Sequence, residues 1–83
     1  MMILVNPYVL EVIMRLEMLA KDRDSIQGGS QAMYLDQGGW FTIQGLLVDA
    51  DTLGNVENLV PGEGVVRIKP EIVIEAVRRY QAR

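Results

Sequence analysis

Neither cysteine nor histidine occurs among the 83 residues of this chain. The first absence removes disulfides, thiol nucleophiles and thiolate metal sites. The second removes the commonest general base, the commonest transition-metal ligand and the usual switch near neutral pH. Positive charge is also in short supply. Eight bases face eleven acids, a net charge of −3, so general attraction to phosphate backbones or anionic lipid is not expected. No membrane-length apolar run is present. Glu11, Arg15 and Glu17 interrupt residues 8–20, whereas a span needs about 20 mostly uncharged residues. Met1–Val5 is apolar but has no basic flank and runs into Asn6-Pro7, which falls short of a secretory signal. The cytoplasm is the expected compartment.

The remaining composition, 49% hydrophobic and 23% charged, is that of a folded domain. The length fits one such domain over residues 1–83. Asn6 is a good N-cap and Pro7 suits the first helical position, so the pattern predicts a helix from Asn6 to about Asp24. Glu11/Arg15 and Glu17/Lys21 would pair at i,i+4 on it. Gln27–Gln31 reads as a connector. A hairpin follows, with Ala32–Leu35 and Trp40–Gln44 as strands and the glycines of Asp36–Gly39 as its loop. In strand alternation Phe41 and Ile43 are expected to face the core and Trp40 to stay partly exposed. Gly45 interrupts the second strand before Leu46–Val48. Asp49 or Asp51 is placed to cap a short helix over Thr52–Leu59, Pro61–Gly64 is a turn, and Val65–Lys69 reads as a third strand. Pro70 then opens a C-terminal helix with Ile72, Val73, Ala76, Val77 and Tyr80 as its inner stripe. The expected fold class is α+β: an N-terminal helix, a small and mainly antiparallel three-stranded sheet with Met2–Val5 as a candidate fourth strand, and a C-terminal helix.

Chemistry is thinly signalled. Asp49, Asp51 and Gly54 match positions 1, 3 and 6 of a calcium loop, but Leu53 and Val60 stand where ligands at positions 5 and 12 are needed, so no metal site is expected. Gly28-Gly29-Ser30 and Gly62-Glu63-Gly64 match neither a dinucleotide nor a P-loop pattern, and the second precedes a strand where a phosphate cradle needs a helix N-terminus. The lysines, Lys21 and Lys69, stand at element ends. No catalytic residue, cofactor or enzyme activity is therefore expected.

Two binding readings remain. Ten of the thirteen residues from Tyr8 to Ala20 are apolar. At about 100° per residue Tyr8, Val9, Val12, Ile13, Leu16, Leu19 and Ala20 make one face. Leu10, Met14 and Met18 make a second stripe, bordered by Glu11, Glu17 and Lys21. Methionine adapts readily to binding surfaces. The leading expectation is a small non-catalytic protein-interaction module, an adaptor, inhibitor or accessory subunit. It would be a homodimer through Leu10, Met14, Met18, Glu17 and Lys21, with Trp40 as a further anchor. The alternative is a nucleic-acid-binding regulator using Arg67, Lys69, Arg78, Arg79 and Arg83, because residues 61–83 carry five bases against three acids. Against it, Glu75 lies at i,i+3 and i,i+4 from Arg78 and Arg79 and would neutralise both.

Overall fold

The computed structural model describes residues 15–24 and 30–83. The chain forms β1 (Leu16–Lys21), β2 (Ala32–Asp36), β3 (Phe41–Gln44), β4 (Leu46–Leu47), α1 (Ala50–Leu53), β5 (Val66–Arg67) and α2 (Pro70–Gln81). β1, β2 and β3 make an antiparallel sheet in that order, and β4 pairs with β5 in a separate two-stranded ladder.

The expected helix over residues 6–24 is overturned from Leu16 onward, because Leu16–Lys21 is a strand. The earlier part, residues 6–14, lies outside the described residues, as do Met2–Val5. The physical reason is a β-bulge. The register of β1 on β2 shifts between Met18 and Ala20, and a bulge sets two successive residues opposite one partner. Leu19 and Ala20 thereby both turn to the same face and both are buried. Adjacent apolar residues on one face are also what a helix produces, so the bulge imitates helical spacing. The Glu17/Lys21 pair goes with the helix. Four residues along a strand span about 13 Å, and Glu17 instead bonds Arg83 at 3.1 Å.

The hairpin is close to expectation. Gly39 N–H donates to the Asp36 carbonyl, and Asp36 N–H donates to the Trp40 carbonyl at 2.9 Å. This is a three-residue loop of Gln37, Gly38 and Gly39, whose last residue takes a left-handed φ of 86°, the position that favours glycine. Asp36 completes it: Oδ1 accepts from Gly38 N–H at 2.8 Å and Trp40 N–H at 3.1 Å, and Oδ2 accepts from the Thr42 hydroxyl at 3.1 Å. These donors, the Trp40 amide foremost, hold the Asp36 carboxyl below its ordinary pKa.

The expected third strand, Val65–Lys69, shrinks to Val66–Arg67 and joins β4, not the main sheet. The short helix is likewise Ala50–Leu53, not Thr52–Leu59, with Asp49 as its cap through a 2.7 Å bond from Thr52 N–H. The C-terminal helix is as expected from Pro70 onward.

The core is small. Leu19, Ala20, Met33, Leu35, Ile72 and Ala76 form it, with Ile68 and Val73 packed against them. Ile72 and Ala76 are one turn apart on α2 and meet β1 and β2. The helix therefore sits over two strands of the three. β3 is left at the rim, touched by α2 through an edge-to-face contact of Tyr80 on Phe41 with ring centroids 5.3 Å apart. That position corrects one expectation. Phe41 and Ile43 stand opposite Leu35 and Met33 and so point to the helix-bearing face, yet Phe41 is 37% and Ile43 44% exposed. Tyr80, assigned to the inner stripe, is likewise exposed for the same reason.

Candidate interaction surface

Between Asp36 and Asp49 no residue is charged: Gln37–Val48 is a twelve-residue neutral run. It covers the hairpin loop, β3, Gly45 and β4, and most of its large apolar side chains are open to solvent. Trp40 is 76% exposed and Leu47 85%, and Phe41, Ile43 and Leu46 are also classed with the exposed hydrophobics. Isolated exposed hydrophobics need no explanation, but a contiguous set marks an interaction site. The run occupies one rim of the main sheet and continues into the ladder beside it, with Phe41 and Ile43 on the helix-bearing face of that rim and Trp40 on the other.

The residues singled out by sequence are scattered differently. Leu10 and Met14 lie outside the described residues. Met18 is 49% exposed on β1. It stands opposite Tyr34, which in turn stands opposite Thr42, so Met18 belongs to the sheet face away from α2. A helical stripe of Leu10, Met14 and Met18 cannot extend to a residue held in a strand. Glu17 stands on the other face, opposite Leu35, and is tied to Arg83. Lys21 is exposed at the end of β1. Trp40 follows the hairpin loop and, opposite Asp36 in the ladder, shares the face of Leu16 and Met18. Among these residues, then, Met18 and Trp40 share a face, two strands apart. The neutral run was the sequence signal that would have located the rim; periodicity, which asks only which side a residue faces, does not register it.

The bases proposed for nucleic acid are mostly engaged. Lys69 Nζ lies 3.0 Å from Asp22 Oδ2 and Arg79 Nε 3.0 Å from Glu75 Oε2; Arg78 bonds the same Glu75, and Arg83 bonds Glu17. The two arginines on Glu75, Arg79 first, hold its carboxyl below the ordinary value.

One polar cluster is structural. Asp22 is buried at the end of β1. Its carboxylate accepts from Asp24 N–H at 3.0 Å as well as from Lys69, and its own N–H donates to the Gln31 carbonyl at 2.8 Å. The buried Gln31 side chain in turn accepts from Lys69 N–H at 2.9 Å. Two bonds, both from Lys69, thus tie the β1–β2 connection to the start of α2. The Asp24 amide and then Lys69 hold the Asp22 carboxyl below its usual pKa, while the bond to Asp22 raises Lys69. A carboxyl with a depressed folded pKa stabilises above its unfolded value, about 3.9, and loses that contribution as pH falls through the folded value. A raised lysine stabilises fully below about 10.4 and loses it as pH rises through the folded value. The pair therefore acts between those limits. Asp22→Asn should lower Tm at pH 7 and make the fall of Tm between pH 7 and pH 3 shallower than in the wild type. Parallel Tm curves for the two proteins would show that the pair does not contribute.

An open cleft of about 360 Å³ borders this cluster, lined by Lys21, Asp22, Arg23, Asp24, Glu71, Ile72 and Glu75. Two of its carboxylates are engaged from outside the cleft, Asp22 by Lys69 and Glu75 by Arg78 and Arg79, and no nucleophile with an activating base stands among its lining residues. No helix among the described residues is long and apolar enough to cross a membrane. No protein-family model matches the chain, no curated protein matches its sequence, and no solved structure matches its fold.

Proposed function

We propose that the chain is a non-catalytic protein-interaction module whose binding surface is the neutral hairpin strip, with Trp40 as its anchor. The observation that carries this reading is the exposure of Trp40, Phe41, Ile43, Leu46 and Leu47 along twelve residues without a charge. Tryptophan is enriched at binding hot spots because it offers a large apolar area at low entropic cost. The hairpin beneath it is fixed by three bonds to Asp36, so the anchor is presented on a rigid support and ordering it costs little on binding. Met18, on the same face as Trp40, extends the surface across the sheet.

The nucleic-acid reading has less support. Four of its five bases have carboxylate partners, and binding phosphate would mean giving those up.

The test is affinity capture from native lysate with wild-type protein and with Trp40→Ala and Leu47→Asp, each checked by circular dichroism. A partner held by the wild type should be lost from both variants. Truncating a hot-spot tryptophan is worth at least about 2 kcal/mol, roughly a 30-fold loss of affinity. Retention of the same proteins by both variants would remove the strip from consideration.

A further inference from the structure

We propose that β3 pairs edge to edge with β3 of a second copy of this chain, in antiparallel fashion about a two-fold axis at Thr42. This rests on reading the hairpin strip as the binding surface, and it names the occupant.

The sheet has two edges among the described residues, β1 and β3. Natural sheets guard their edges with charges, bulges or proline. β1 has such guards: Glu17 and Lys21 lie within it, Arg15 precedes it, and a bulge interrupts it. β3 has none. Its four residues are Phe41, Thr42, Ile43 and Gln44, flanked by Trp40 and Gly45.

The direction of the free backbone groups follows from the hairpin. Asp36 N–H bonds the Trp40 carbonyl, which makes Asp36 and Trp40 a hydrogen-bonded pair. In an antiparallel ladder such pairs alternate with non-bonded ones. Thr42, opposite Tyr34, and Gln44, opposite Ala32, therefore direct their N–H and C=O to β2. Phe41 and Ile43 direct theirs outward. A copy turned about Thr42 sets Phe41 opposite Ile43 of the other chain and Ile43 opposite its Phe41. Each of these two pairs exchanges two bonds, so four close across the axis.

The side chains suit the same register. Phe41 meets Ile43 on the helix-bearing face, an aromatic to β-branched pair, and Thr42 meets Thr42 on the other; both combinations are favourable across strands. Trp40 meets Gln44. Beyond them Gly39 meets Gly45, so no side chain crowds either end. With no charge from Gln37 to Val48, placing the strip against itself sets no like charges together. The apolar side chains that α2 leaves uncovered at the rim, Phe41 and Ile43, would then be covered by their own counterparts. An extended peptide from another protein would satisfy the same backbone groups but has no reason to match this self-complementary order.

The chain has no cysteine, so a single introduced one reports the axis. At a non-bonded antiparallel position the two Cα atoms are about 4.5 Å apart, within the disulfide range of about 4.4–6.8 Å. Full-length Thr42→Cys should form an intermolecular disulfide under mild oxidation, and Gln44→Cys, which faces Trp40, should not. Light scattering coupled to size exclusion should find the wild type dimeric and Ile43→Lys monomeric. Ile43→Pro removes only an outward N–H, a position where an edge strand tolerates proline, and should also be monomeric. If it does not fold, Ile43→Lys decides. A wild type that stays monomeric at high micromolar concentration overturns the pairing, while partner capture that depends on Trp40 would still stand. A dimer that survives Ile43→Lys, or cross-links equally at residues 42 and 44, also overturns it. A dimer with the expected cross-link but no Trp40-dependent partner leaves the pairing intact and defeats the wider reading.

Discussion

Leu19→Ala is expected to lower folding stability by about 2–5 kcal/mol, the usual cost of removing a buried leucine side chain. Leu19 is 2% exposed and belongs to a core of six residues. It packs where β1 bulges toward α2, among Met33, Leu35, Ile72 and Ala76. Two features put the cost in the upper part of the range. Ala76 is fully buried and Ala20 nearly so, and neither methyl side chain can swing into a void. The bulge fixes the backbone of β1 at this point, so the strand cannot easily settle inward. Domains of this kind have only about 5–15 kcal/mol in total, so the variant should be partly unfolded at physiological temperature. Met18→Ala is the matched control. Its side chain is on the opposite face and half in solvent, and its loss should fall within about 0.5 kcal/mol of zero, as for most surface changes. Phe41→Ala should lie between, because part of its ring is in water and the rest rests on Tyr80. Urea unfolding of the full chain measures all three. Equal midpoints for Leu19→Ala and Met18→Ala would mean that β1 is not in this register.

How much of this arrangement is legible in the sequence differs from element to element, and for physical reasons. The hairpin and α2 are set by local chemistry. Asp36, Gly38 and Gly39 make a loop that needs nothing beyond its own residues, and Pro70, Ile72, Ala76 and the pair of Arg78 and Arg79 on Glu75 write a helix in a dozen positions. β1 is not local. Its backbone is satisfied only by β2, more than ten residues away, and the Leu19-Ala20 doublet that marks its bulge is also good helical spacing. The partner segment, not intrinsic preference, decides such cases. The same limit applies to the surface. Alternation gives the side of β3 on which Phe41 and Ile43 stand, and gives it correctly, but it does not say how far α2 reaches. Their exposure follows from the two-strand footprint of Ile72 and Ala76, which depends on small residues at the contact and on where Lys69 is tied to Asp22. Trp40, expected to be partly exposed, is 76% exposed.

Gly45→Ala should be the most damaging single change outside the core, at about 1–3 kcal/mol, the range for forcing atoms into filled space. An added Cβ would lie 2.5 Å from the Arg67 carbonyl oxygen and 3.2 Å from both Val66 Cβ and Cγ2. The first contact is to backbone, and it cannot be relieved by a rotamer change. β5 would have to move as a unit, which strains its pairing through Leu46 and Leu47. The displacement would not end there. Arg67 leads through Ile68, which packs on the core, to Lys69, whose N–H and ammonium hold Gln31 and Asp22. One methyl group at the end of β3 therefore presses on the junction that positions α2. The backbone at Gly45 is not left-handed, so the cost is one of space and not of φ. Gly64 separates these causes: an added Cβ there meets nothing within 4 Å and its φ is ordinary. Gly64→Ala should be neutral or stabilising by about 0.4–1 kcal/mol, through the entropy of the unfolded chain. Thermal unfolding should rank Gly64→Ala at or above wild type and Gly45→Ala well below. Hydrogen exchange should show faster amides in β4 and β5 of Gly45→Ala than in β2, because the strain enters at the β5 backbone and reaches the main sheet only through Lys69. Similar Tm values for the two glycine variants would mean that β5 can withdraw without cost, and that the junction at Lys69 is looser than its two bonds to Gln31 and Asp22 imply.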